Sequence, residues 1–281
     1  MKFLQFSLHG ERHLGLVRGS EVRSLGLHDM GDLLAAGVDL CSFATEAGEH
    51  GPVFALDSVS CLPPLARPPK IICIGLNYAD HTRESIYEQP GYPTVFNRFH
   101  TSLTGHGQAI VRPLASDSLD FEGELAVVLK SGGRHIARAA ALEHVAGYSI
   151  FNDGSVREFQ FKSPQWTIGK NFDATGGFGP FLVTPDELPP GASGLRLETR
   201  LNGVVVQSAN TADMLFDVAA LISILSEAVT LEAGDVIVAG TPSGIGWARE
   251  PRLLMRHGDV CEVAIEGLGV LVNPIADEAA A

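Results

Sequence analysis

Cysteine is scarce and scattered. The four thiols, Cys41, Cys61, Cys73 and Cys261, form no CxxC pair in 281 residues, and a chain of this length can bury about three quarters of its unfolded surface without disulfide staples. Reduced, mostly buried thiols of a cytoplasmic protein are the plain reading. Positive charge is also short: 20 Lys+Arg face 33 Asp+Glu for a formal net charge of -13, with no basic run. Such a surface repels a phosphate backbone and offers no polybasic patch, so nucleic acid and acidic membrane are poor partners. A small anion stays compatible, because a bound cation inverts the local field. Long apolar runs are missing too. The start, MKFLQFSLHGERHLG, alternates and carries charge early, as a strand does and a signal peptide does not. The longest helical apolar stretch, Met214 to Val229, contains Asp217 and Glu227 and is too short and too polar to span a bilayer. No GKS or GKT follows the glycines of GTPSGIG, so nucleotide binding is unsupported.

What is present is a strand-rich chain. FLQFSL and HLGLVRG read as short strands, and HDMGDLLAAG as a short helix capped by Asp29. The connector CLPPLARPPK carries Pro63, Pro64, Pro68 and Pro69, which cannot continue a helix or donate within a central strand. It separates a small N-terminal domain, residues 1–65, from a main domain, residues 66–281. KIICIG is a buried strand followed by a helix start in NYADHTRE. DFEGELAVVL and GYSIFND are strands flanking a short helix, ARAAALEHV. Asn202-Gly203 predicts a hairpin between LRLETRLNG and VVVQSANT. Leu215, Val218, Ile222, Leu225 and Val229 form a stripe on a helix over 213–229. Strands introduced by Gly-Asp turns close the chain. The order lacks regular strand–helix alternation, which disfavours a doubly wound sheet.

Four polar residues stand out in apolar surroundings: Glu122, Glu124, Asp153 and Lys170. Carboxylates at i and i+2 of a strand point to one face. An ExE pair can be the wet side of an edge strand, but Phe121, Leu125, Val127 and Val128 mark a buried one, where an uncompensated carboxylate is costly. Asp153, within Asn152-Asp153-Gly154, also fits a turn residue. Aimed at one volume, three acids need a cation, and hard oxygen ligands favour Mg2+ or Mn2+ over zinc. His81 and Glu84 are one helical turn apart, so the carboxylate can reach the imidazole. Taken alone, His81 and Lys170 also fit surface residues.

The stretches IGLNYADHTRE, DFEGELAVVL, GYSIFNDGSVREFQ, WTIGKNFDATGGFGPFLVTPDEL, LNGVVVQSANTADMLF and LEAGDVIVAGTPSGIG lie in the order and at the intervals of a known family. In these motifs the chain resembles the fumarylacetoacetate hydrolase family over nearly all of its length after the connector. The resemblance implies a mixed α/β fold with a curved, mostly β catalytic core, usually as a homodimer. It implies a divalent cation held by Glu122, Glu124 and Asp153, and His81 with Glu84 as a general-base dyad on a segment that closes over substrate, delimited by Pro90-Gly91. Lys170 becomes the active-site lysine, Gln160 its hydrogen-bonding neighbour, and Thr241 a binder of the substrate carboxylate. Arg157 is left between an anionic substrate tail and an ion pair with Glu158. The chain departs from the family's frequent NDVSARD in reading NDGSVRE, which bears on pocket shape more than on the ligand Asp153. The implied substrate is a small anionic 2-oxo acid.

The activity so implied is metal-dependent hydrolysis of a carbon–carbon bond in a 1,3-dioxo acid such as maleylpyruvate, fumarylpyruvate or another acylpyruvate, giving pyruvate and a carboxylate. His81, oriented by Glu84, would take a proton from the attacking water. Decarboxylation or tautomerisation of oxaloacetate, or isomerisation of a 2-hydroxydiene dicarboxylate, uses the same enolate chemistry. A non-catalytic protein that keeps the metal for anion capture is the rival of another class. Phe99, His100, Trp166 and Phe172 are expected to shape the substrate pocket.

Overall fold

Alternating and continuous apolar runs dominate the chain, and in a computed structural model describing residues 1–47, 50–84 and 88–279 they form strands of two main sheets and one two-stranded ribbon. The larger sheet has 12 strands. Its centre runs from Gly176–Val183 through Val145–Asp153, Gly123–Leu129 and Val236–Val238 to Ile71–Gly75, with Thr94–Arg98 at the edge. The smaller sheet has five strands, ordered Val204–Asn210, Arg196–Leu201, Val260–Ile265, Gly269–Asp277 and Ile110–Arg112. Helices are few and short, and the expected mixed α/β class with a mostly β core is what the chain adopts.

Gly123–Leu129 is covered on both faces, which explains why it reads as a continuous apolar run. Leu125, Val127 and Leu129 face a core shared with Leu197, Val263 and Leu271 of the smaller sheet, and Ala126 and Val128 face Phe3, Met30 and Leu34 from the first part of the chain. Residues 62–70 form no strand or helix, as the prolines require. The strands before them join the same large sheet: Lys2–Leu8 pairs with Gly176–Val183, Phe3 opposite Leu182.

The Asn202-Gly203 hairpin forms as expected, with Leu201 opposite Val204. Three expectations shift. Arg138–His144 is a 3-10 helix. Phe121 and Glu122 lie between the strands Leu119–Asp120 and Gly123–Leu129, so the two glutamates do not share one strand. The helix over 213–229 is shorter, Val218–Ala228. Its start is fixed by Asp217, whose side chain accepts from the Ala220 amide, while the Leu215 and Phe216 amides donate to the backbone and side-chain oxygens of Asn77. Leu215 and Val229 consequently fall outside the helix and are exposed. Among the described residues, no helix is long and apolar enough to cross a membrane.

Two features of the large sheet converge on one place. Antiparallel register puts Gly123 opposite Asn152, and the Asp153 amide donates to the Glu122 carbonyl, so both acidic chain segments meet where the pairing ends. Strands Ile71–Gly75 and Val236–Val238 run parallel, Ile71 beside Val236, and deliver the segments that begin at Leu76 and Ala239 to the same edge.

Candidate metal centre and active site

Glu122, Glu124 and Asp153 are buried, and each offers an oxygen within 4.8 Å of the others. Such a group cannot be fully ionised in a low dielectric without cations nearby. The chain supplies three. Lys170 Nζ lies 2.6 Å from Glu122 Oε2 and 2.6 Å from Asp153 Oδ2. Arg157 Nη2 lies 2.6 Å from Glu122 Oε1, and Arg98 Nη1 donates to Asp153 Oδ1 at 2.5 Å. Glu124 is the exception: its Oε2 accepts from the Gly240 amide at 2.6 Å, and among the described residues it has no ion-pair partner.

The electrostatic consequence divides the two glutamates. Burial works to raise the Glu122 pKa, but Arg157 and Lys170 outweigh it and hold the group well below the usual carboxylate range. For Glu124, burial together with the nearby Asp153 and Glu122 carboxylates drives the pKa well above that range. With all four buried carboxylates, Asp120 included, ionised against the buried cations Arg98, Arg157 and Lys170, one negative charge would be left over, which is why Glu124 holds its proton in the absence of a further cation. An all-oxygen donor set left with that charge when ionised fits a hard divalent cation.

The dyad residues are brought together beside this cluster. His81 Nδ1 is 2.9 Å from Glu84 Oε1. With the Nδ1 proton directed at the carboxylate, Nε2 keeps its lone pair. The turn that brings them here follows Gly75, where Leu76 takes a left-handed φ of 59° and the Asn77 amide group donates to the carbonyls of Ala239 and Phe216. The helix Ala79–Glu84 then docks on the 240–246 loop: Ser243 Oγ donates to Asp80 Oδ2 at 2.7 Å, and the Gly244 amide donates to Glu84.

His81, Glu122, Glu124, Arg157, Gln160, Lys170 and Thr241 all line one cavity of about 50 Å³. Asp153 lies behind Lys170, fully buried, and Glu84 behind His81. Thr241 Oγ1 donates to the Gly123 carbonyl and accepts from Gln207 Nε2. Gln160 Oε1 accepts from Arg157 Nη1 at 2.8 Å. Arg157 does not pair with Glu158, as one expectation had it. It pairs with Asp120 and Glu122, and Glu158 instead accepts from Ser116 Oγ. Of the four residues expected to shape the pocket, Trp166 lines the cavity; Phe99 and His100 border a separate surface groove and Phe172 meets Phe159 edge-on.

Two residues of the site were not singled out from the sequence. Arg98 donates to Asp153 Oδ1, the Gly154 carbonyl, Ser102 Oγ and Thr175 Oγ1. Asp120 accepts from the Gly246 and Trp247 amides and from Arg157 Nε at 2.8–2.9 Å, so it ties the 240–247 loop to the arginine that neutralises Glu122. The signal for Asp120 was an acid at the start of a buried strand, DFEGE.

Comparison with known proteins agrees with this arrangement. Residues 70–276 match the family profile described as Fumarylacetoacetate (FAA) hydrolase C-terminal. The Homo sapiens protein oxaloacetate tautomerase FAHD2A, mitochondrial, is 38% identical over 274 residues, covering 94% of this chain and 87% of that one. Among solved structures, fumarylacetoacetate hydrolase from psychrophilic Exiguobacterium antarcticum superposes with a TM-score of 0.86 at 35% identity, covering 99% of this chain and 100% of its own. The 2-hydroxyhepta-2,4-diene-1,7-dioate isomerase from Mycobacterium marinum gives a TM-score of 0.79 at 28% identity over 100% of both chains. With the match taking in the central strands of the large sheet from Ile71 onward and every residue of the acidic cluster, the chain belongs to the fumarylacetoacetate hydrolase family.

Proposed function

We propose that this protein is a divalent-cation-dependent tautomerase that interconverts the keto and enol forms of oxaloacetate or a similarly small 2-oxo diacid. The observation that carries the reading is the 38% identity over 94% of this chain to an oxaloacetate tautomerase, with the His81–Glu84 pair, 2.9 Å apart, beside the acid cluster to serve as the base. A buried base held in one tautomer suits removal of a proton from a carbon acid. The cavity carries cationic and hydrogen-bonding side chains, Arg157, Gln160, Lys170 and Thr241, that suit a small diacid. This sets tautomerisation ahead of the carbon–carbon hydrolysis expected from the motifs.

Glu122, Glu124 and Asp153 would hold Mg2+ or Mn2+, which would supply a Lewis acid for the negative charge that a 2-oxo acid develops on losing a proton. His81 Nε2 takes the proton from the carbon next to the keto group. Glu84 stabilises the imidazolium this produces, and the proton is returned to the keto oxygen to complete the enol. Lys170 holds positive charge at the cluster throughout, and Arg157, Gln160 and Thr241 present donors and a hydroxyl to the carboxylates of the substrate. The Phe96, Trp166 and Ile245 side chains on the same cavity exclude bulk water.

The test follows the decay of the enol absorbance of oxaloacetate with Mg2+ or Mn2+ and with EDTA. A cation-dependent rate above the buffer-catalysed one is expected, with maleylpyruvate and fumarylpyruvate left intact. Release of pyruvate from those acylpyruvates without oxaloacetate turnover would return the hydrolase reading to first place.

A further inference from the structure

The cavity walls divide by chemistry. Glu122, Glu124, Lys170 and His81 are charged or ionisable, whereas Phe96, Trp166, Phe161 and Ile245 are apolar. A 2-oxo acid head belongs with the first set, so an apolar tail carried beyond it meets the second. Trp166 is the largest of the apolar group, and its position is fixed from two sides. A Cβ built on Gly75 would lie 2.4 Å from Trp166 Cζ3 and 2.8 Å from Cη2, so the indole fills the space that any other residue at position 75 would occupy. On its other side the ring meets Phe96 edge-on, with centroids 5.5 Å apart, and the Phe96 ring carries Lys170 Nζ at 4.9 Å from its centroid.

We propose that Trp166, seated in the notch left by Gly75, sets the length of tail that the cavity accepts beyond the 2-oxo acid head. The proposal takes the placement of that head from the functional reading above. An indole held between a backbone and an aromatic ring yields little on those two sides, because close-packed neighbours leave no free volume there. A tail that reaches it has to displace it or leave the cavity. The ring therefore acts as an end stop.

The experiment measures binding of pyruvate, 2-oxobutyrate, 2-oxovalerate and 2-oxohexanoate to the Mg2+-loaded full chain by titration calorimetry, and reads the ratio of Kd between the longest and shortest acids. In the wild-type protein the ratio across these three methylenes is expected to be about tenfold or more, the discrimination that even one methylene against a rigid apolar wall provides. In Trp166→Ala it is expected to fall to near unity, and in Trp166→Phe to an intermediate value, with thermal melts confirming the fold. An unchanged ratio in folded Trp166→Ala overturns the proposal. If that variant does not fold, an unchanged ratio in Trp166→Phe does the same. Binding needs no turnover, so a protein that shows the length dependence but fails to tautomerise oxaloacetate refutes the functional reading and leaves the end stop standing.

Discussion

The backbone amide of Gly244 donates to both carboxylate oxygens of Glu84, at 2.8 and 3.0 Å, across a separation of 160 residues. Glu84 is thus fixed before it meets His81, and the imidazole inherits its orientation from the 240–246 loop on which its helix docks. Gly244 has a φ of 102°, and a Cβ there would come 2.3 Å from the Val206 carbonyl, so the donor is itself held in a conformation only glycine adopts easily.

Glu84→Gln keeps the size of the side chain and the acceptor for Gly244 but offers His81 no anion. The imidazolium loses its stabilising charge and the tautomer is no longer fixed. The expected result is a fall in kcat of about a hundredfold or more, the range over which a positioned base acts, with the thermal melt little changed. A kcat within twofold of wild type would remove Glu84 from the base.

Cation loading should release a proton. Glu122 is ionised well into acid because Arg157 and Lys170 overcome the effect of its burial, whereas burial and its two acidic neighbours keep Glu124 protonated above the usual carboxylate range. A cation requires the carboxylate form of Glu124, so binding displaces that proton and affinity rises with pH until Glu124 is ionised in the metal-free protein. Calorimetry of Mn2+ binding in two buffers of different ionisation enthalpy at mildly acid pH is expected to show release that shrinks as pH rises. Equal heats in both buffers would mean that Glu124 is already ionised.

Much of this was legible locally and some of it was not, for reasons of distance along the chain. Strand Val145–Asp153 and the hairpin at Asn202-Gly203 depend on neighbouring residues, and a window of sequence contains the cause. The acidic cluster was legible because a carboxylate in an apolar strand demands a partner. Arg98 and Asp120 were invisible in those roles because their partners Asp153 and Arg157 lie 55 and 37 residues away, and a lone arginine or aspartate has no period. The helix start at Val218 was misplaced because Asn77, 139 residues earlier, takes the Phe216 amide. Phe99 and His100 looked like pocket residues by proximity to motifs, but the edge strand Thr94–Arg98 turns them toward another groove.

Arg98→Met should destabilise the metal-free protein by about 3–5 kcal/mol, because removing one member of a buried ion pair strands the other. Asp153 would keep Lys170 but lose the partner at Oδ1, and the Gly154 carbonyl would lose a donor. Urea unfolding measures the loss. Saturating Mg2+ or Mn2+ at a hundredfold over Kd would return about 2.7 kcal/mol in wild type and variant alike if the ligand set survives. A variant as stable as wild type without cation would show that Arg98 is dispensable to the charge balance.

The thiols should separate in reactivity. Burial pushes Cys61 up to about 11 and Cys261 up to about 12, and it carries the fully buried Cys73 well above the ordinary thiol value. The thiolate is the nucleophile, so at pH 8 a thiol shifted from 9.0 to about 11 has about a hundredfold less of the reactive form, before access is counted. Burial also raises Cys41, but that residue is only half-buried, on the helix Leu40–Ala47 at the surface of the N-terminal segment. Iodoacetamide on the native protein, read by mass spectrometry of peptides, is expected to label Cys41 first and to reach Cys61, Cys73 and Cys261 only on unfolding. Raising the pH toward 9 should speed Cys41 labelling in proportion to its thiolate and leave Cys73 unlabelled. Labelling of Cys73 as fast as Cys41 in the folded protein would require the strand Ile71–Gly75 to open on that timescale, which its place between Val236–Val238 and Thr94–Arg98 in the sheet opposes.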